Sequence, residues 1–117
     1  MKQDLHYDMK VRIMGEEKAF GPGVAQLLKG IEEMGSMQKA AEKMGLSYSK
    51  AWKMMKTAEQ ELGFALTERS SGGKDGGGSV VTAEGREMMQ RYGSFLSALQ
   101  TEADRLFAFY FQREGEK

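Results

Sequence analysis

Between Tyr48 and Lys56 the chain sets Tyr48, Ser49, Lys50, Lys53 and Lys56 without one acidic residue among them. Three amines at this density neutralise phosphate, and hydroxyl and amine donors near the start of a helix are the groups that reach base edges in the major groove. Ser47 stands just before them, where its hydroxyl can cap the helix by accepting from a first-turn N–H and can also touch a nucleic acid. The plain alternative is a surface helix whose lysines only face water. Trp52 has two readings, core packing and base contact, and core packing is favoured because it sits beside Ala51 and Met55 on the expected inward face.

A second candidate contact follows in the run from Ser70 to Ser79, which holds five glycines and Lys74 and comes directly after Arg69. Such a tip has little bulk and can lie along a phosphate backbone, although Gly/Ser tracts also serve as plain linkers. A nucleotide-binding loop is disfavoured: Glu68 stands where the first glycine of that pattern belongs, and Asp75 stands where its hydroxyl residue belongs.

Other chemistry has little to use. The chain has no cysteine and one histidine, His6, near the start, so thiol nucleophiles, thiolate metal sites and multi-histidine sites are all out of reach. Glu16-Glu17 and Glu32-Glu33 read as solvated faces. No enzyme activity, metal or cofactor is expected. Seventeen basic and seventeen acidic side chains balance over 117 residues, so any attraction to DNA must come from local charge. No apolar run approaches the length of a membrane span, and Met1 to Asp8 has no signal-peptide core. A cytoplasmic chain without a membrane partner is expected.

The elements that position these residues follow from periodicity. Residues from Tyr7 to Met14 alternate, which predicts a half-buried strand, with Ala19 and Phe20 pairing back after a turn at Gly15-Glu16. Pro22 opens a helix carrying Val24, Leu27, Leu28 and Ile31 and ending at Met34-Gly35. Ser36 caps a helix from Met37 to Met44, Gly45 makes a tight turn, and Ser47 caps a longer helix to about Leu62, closed by Gly63. Ala41 is small enough to let two helices cross closely. Together these make a helix-turn-helix. Phe64, Leu66 and Arg69 predict one short strand and Val80-Val81-Thr82 its partner, so the Gly-rich tip becomes a wing.

From Thr82 onward, Met88, Tyr92, Leu96, Leu99, Ala103, Leu106 and Tyr110 recur in steps of four, four, three, four, three and four. They draw one apolar stripe along a helix of about thirty residues, longer than a small domain covers with its own core. A second copy of the chain is expected to cover it through Tyr92, Leu96, Leu99, Ala103, Leu106 and Tyr110, with Phe95, Phe107, Phe109 and Phe111 adding apolar area. The alternative is that the helix folds back on the strand from Tyr7 to Met14. The expected organisation is a DNA-binding unit over residues 1–82, a dimerisation helix over 83–112 and a disordered tail over 113–117.

The segments Gly35-Ser36-Met37 to Ala41, Leu46-Ser47-Tyr48-Ser49-Lys50-Ala51-Trp52, Glu68-Arg69 and Gly72 to Thr82 resemble the N-terminal DNA-binding half of the molybdate-responsive ModE-type regulators. Val81 replaces the leucine that usually precedes the threonine in that family. More distantly, the helix-turn-helix and Thr82-Ala83-Glu84-Gly85 resemble LysR-type regulators. The similarity runs from Val11 to Phe111. It implies a mainly helical winged helix-turn-helix with a dimerising C-terminal helix, acting on transcription through palindromic DNA. It also places DNA contacts at Ser47, Tyr48, Ser49, Lys50, Lys53 and Lys56 and, from the wing, at Arg69 and Lys74. Members that sense molybdate carry an additional region of small β-barrels with no counterpart here, so no molybdate site is expected within this sequence. A DNA-binding or protein-binding winged-helix module without sequence preference is the rival reading.

Overall fold

Val24, Leu27, Leu28 and Ile31 lie fully inside α1 (Pro22–Met34), the helix around which the other elements pack. Their spacing puts them on one face, and Pro22 sits in the first turn, where its missing N–H costs nothing. The computed structural model describes residues 5–70 and 78–112. Ahead of α1, β1 (Ile13–Met14) pairs antiparallel with β2 (Lys18–Phe20). Behind it come α2 (Met37–Lys43), α3 (Tyr48–Leu62), the antiparallel pair β3 (Thr67–Ser70) and β4 (Gly78–Val81), and α4 (Ala83–Phe111). The architecture is the mainly helical, winged helix-turn-helix arrangement expected. Among the described residues no helix is long and apolar enough to cross a membrane.

The helix boundaries are set by local chemistry. The hydroxyl oxygens of Ser36, Ser47 and Thr82 accept from the N–H groups of Lys39, Lys50 and Gly85 at 3.1, 3.1 and 2.9 Å. Each satisfies a donor that the first turn leaves unpaired. Gly45 adopts φ 73° between α2 and α3, and Gly63 adopts φ 85° after α3, both in the left-handed region. Ala41 of α2 is buried, and α1 and α2 also meet closely at Gly30, where a Cβ would stand 2.8 Å from that of Ala40.

Three elements differ from the periodicity. The strand expected over Tyr7 to Met14 is reduced to Ile13–Met14, and residues 5–12 are irregular. A ladder needs a partner of equal length, and β2 has only three residues before Gly21 and Pro22 turn the chain into α1. The first wing strand starts at Thr67 rather than Phe64. The Leu66 and Thr67 N–H groups donate instead to Glu59 of α3, at 2.7 and 3.3 Å. Its partner starts at Gly78 and ends at Val81, because Thr82 serves as the cap of α4.

α4 divides along its length. Its first turns belong to the core: Gly85 and Tyr92 are buried, and Met88, Met89 and Leu96 pack against that core. Tyr92, expected in the seam between two copies, is instead 5% exposed within its own chain. Its ring meets that of Phe20 edge-on at 5.1 Å, and its O–H donates to the Val11 carbonyl at 2.7 Å. Irregular residues ahead of β1 continue along one flank of α4, where the Tyr7 ring packs on Phe107 at 5.4 Å and its hydroxyl donates to Asp104. The fold-back alternative therefore holds for that flank. The adjacent flank is open, with Phe95, Leu106, Phe109 and Tyr110 exposed and Leu99 and Ala103 half-buried. The resulting molecule is elongated, 65 × 27 × 21 Å.

Candidate nucleic-acid interface

α3 turns Ala51, Met55 and Ala58 into the core, which fixes what it shows to solvent. Tyr48, Ser49, Lys50, Trp52, Lys53 and Lys56 all lie on its exposed side. Two groups form. Tyr48, Trp52 and Lys56, one turn apart from each other, look across a groove of about 710 Å³ toward Glu68 and Arg69 of β3 and Ser79 of β4. Lys50 and Lys53 lie on the other flank, with Lys18 of β2, Met54 and one acid, Glu17, around a smaller hollow of about 250 Å³. Ser47 heads the helix, its hydroxyl occupied by the Lys50 N–H and 3.4 Å from that of Ser49.

Trp52 is the main departure. Placed in the core by its neighbours in sequence, it is 47% exposed, and Tyr48 is 52% exposed. On a helix the residue after Ala51 is rotated by roughly 100° from it. That takes Trp52 off the buried stripe and over the groove. The Lys56 ammonium stands 5.5 Å from its ring centroid and 3.2 Å from the Glu59 carboxylate. Glu59 thus spans α3 and the wing: one oxygen holds Lys56, and the other accepts from the backbone at the root of β3. The i, i+3 spacing of Lys56 and Glu59 is a signal the sequence does carry. That the same carboxylate also caps β3 is not, since it depends on where the chain returns after Gly63.

The wing is fastened on both sides. Ser79 N–H donates to the Gly35 carbonyl at 3.0 Å, tying β4 to the junction of α1 and α2. Thr82 N–H donates to the Leu66 carbonyl at 3.0 Å, and the Thr82 hydroxyl donates to the Ala65 carbonyl at 2.7 Å. Arg69 is exposed on β3 at the groove's edge, with Glu68 beside it. Lys74, the other wing candidate, lies outside the described residues, as do the Gly-rich tip and the tail over 113–117. Lys18 gives no signal in the sequence, because its closeness to Lys50 and Lys53 arises from packing of the β1–β2 hairpin on α3.

This geometry has known counterparts. The crystal structure of a CbnR_DBD–DNA complex superposes with a TM-score of 0.56 at 26% identity, covering 73% of this chain and 92% of that one. A BenM_DBD/benA site 1 DNA complex matches at TM-score 0.54 and 22% identity, over 76% and 93% of the two chains, a likeness of fold. Among curated proteins, the DNA-binding transcriptional dual regulator ModE of Escherichia coli (strain K12) is 37% identical over 89 residues, 75% of this chain and 34% of that protein. The molybdenum transport protein ModE of Azotobacter vinelandii is 36% identical over 81 residues, 69% and 30% of the two. The chain spans about a third of the length of these curated relatives. The model of the bacterial regulatory helix-turn-helix proteins of the lysR family matches residues 25–86, from α1 through the wing to the first turn of α4, and the chain belongs to that family.

Proposed function

We propose that this chain is a sequence-specific, double-stranded-DNA-binding transcriptional regulator that inserts α3 into the major groove and works as a homodimer on palindromic sites. The observation that carries this reading is the exposed side of α3, where Ser49, Lys50, Lys53 and Lys56 accompany two exposed aromatics and no acid precedes Glu59. Ser47, Tyr48, Ser49, Lys50 and Lys53 approach base edges from the first turns of the helix, as recognition helices do. Arg69 and Lys74 hold phosphates from the wing, and Lys18 adds a positive charge on the opposite flank. These contacts set register and affinity rather than sequence choice.

The open flank of α4 supports the dimer. Leu99, Ala103, Leu106 and Tyr110 continue the stripe past Tyr92 and Leu96, and Phe95 and Phe109 widen it. Scattered apolar residues are ordinary on a surface, but a contiguous row along one helix marks an interface. A symmetric pair then presents two copies of α3, and half-sites fall one or more helical turns apart.

Selection of genomic fragments by the purified chain, in moderate salt with excess competitor DNA, tests the proposal. One enriched palindromic motif is the expected result, and random fragments would refute sequence-specific regulation in favour of a module without sequence preference. A parallel selection with molybdate measures whether that oxyanion acts through these residues.

A further inference from the structure

Trp52 is the chain's one tryptophan, and nearly half of it faces solvent on the side of α3 that looks toward the wing. A large indole left exposed among basic side chains belongs to a contact surface rather than to a core. Its ring is also held in place. Lys56 lies over one face, Lys56 is held by Glu59, and Glu59 is anchored at the wing root, so binding loses little side-chain freedom. Tyr48, one turn earlier, extends the same stripe toward the end of α3 that enters the groove first.

In the major groove the four base pairs differ in donors and acceptors, and thymine alone adds a methyl group. The exposed indole offers a broad apolar surface with one N–H donor. We propose that Trp52 packs against the C5 methyl of a thymine and so determines sequence choice at that position, with Lys56 positioning the ring. This rests on the reading of α3 as the recognition helix.

The test starts from a duplex selected out of random sequence by the unaltered chain. Each thymine is then replaced singly by deoxyuridine, which deletes the methyl and leaves the pairing edge intact. One position per half-site is expected to lose about fourfold in affinity, the equivalent of one buried methyl group. Trp52→Ala should lose affinity for the selected site and no longer distinguish thymine from uracil there, while Trp52→Phe keeps the distinction. In the complex, Trp52 fluorescence should be shielded from acrylamide. A selected site that tolerates every uracil overturns the Trp52 contact while leaving DNA recognition standing. The contact is equally overturned if Trp52→Ala retains the parent's uracil sensitivity. Failure to select any preferred site refutes the recognition reading itself, and the Trp52 contact with it. The uracil series uses the unaltered chain, so it can overturn the contact even if Trp52→Ala fails to fold, and Trp52→Phe and acrylamide shielding then carry the assignment to Trp52.

Discussion

Glu59→Ala should be the most informative single change, because one carboxylate serves both the fold and the candidate interface. Its side chain is 12% exposed and accepts from Leu66 N–H at 2.7 Å and Thr67 N–H at 3.3 Å while pairing with Lys56 at 3.2 Å. A hydrogen bond to a charged group contributes about 1.5–3 kcal/mol, and the longer of the two sits at the low end. The Lys56 pair is half exposed on the lysine side and adds at most about 1 kcal/mol. Glu59→Ala should therefore cost roughly 3–5 kcal/mol, a large part of the 5–15 kcal/mol typical of a domain. Glu59→Gln keeps an acceptor oxygen and should cost roughly 1 kcal/mol. Urea unfolding followed by circular dichroism measures both. Trp52 emission should also shift in Glu59→Ala, since Lys56 is released from its tether. A Glu59→Ala midpoint matching the parent's would refute the claim that this carboxylate holds the wing root.

Three further outcomes follow from the helix α4. A Cβ at Gly85 would stand 2.5 Å from the Leu66 carbonyl oxygen and 3.0 Å from Val81, whereas one at Gly93 meets nothing within 4 Å. Gly85→Ala should thus lose about 1–3 kcal/mol and Gly93→Ala gain about 0.5–1 kcal/mol in thermal unfolding; equal effects would refute the close approach. The Tyr7 phenol is raised above its ordinary 10.0, first by its hydrogen bond to Asp104, then by desolvation and the Asp104 charge. The folded chain thus favours the neutral phenol, so this contact is fully present below pH 10 and lost as pH rises through the raised value. Tyrosinate absorbance of the parent minus Tyr7→Phe should show that late titration, and an ordinary midpoint would remove the contact. Leu106→Glu places a charge on the open flank without disturbing the chain's own core, and sedimentation should find monomers with weakened DNA binding; a persisting dimer would exclude that flank as the seam.

What could be read from sequence alone is what depends on neighbours in sequence. The caps at Ser36, Ser47 and Thr82 and the turns at Gly45 and Gly63 are chosen within four residues, and all five stand where spacing put them. Two aromatics show where that ends. Trp52 lies beside a periodic apolar stripe and Tyr92 within one, and periodicity says which way a side chain turns but not what stands opposite. Trp52 faces a groove because the wing returns opposite it. Tyr92 faces Phe20 and Val11 because the chain's start, 81 residues away in the Val11 contact, is laid against it. The grouping of Lys18 with Lys50 and Lys53 is likewise a product of the hairpin packing on α3. The alternation ahead of β1 is equally unable to show that β2 is too short to pair with it.

The joint between α3, the wing and α4 bears on how the proposed dimer would measure its DNA. Backbone groups and capping side chains make this joint: Glu59 on Leu66 and Thr67, Thr82 on Ala65, Leu66 and Gly85, and Gly85 against the Leu66 carbonyl with no room for a side chain. Directional bonds between short side chains and main chain fix angles more narrowly than sliding apolar surfaces do. α3 and the first turns of α4 are thereby held in one orientation. Since the open flank of α4 lies on the same continuous helix, the proposed seam and the proposed DNA-contacting face of α3 are linked through this joint. In a symmetric pair, the separation of the two α3 helices is then set mainly by where the two copies of α4 cross, and half-site spacing becomes a property of the seam residues rather than of those that touch bases.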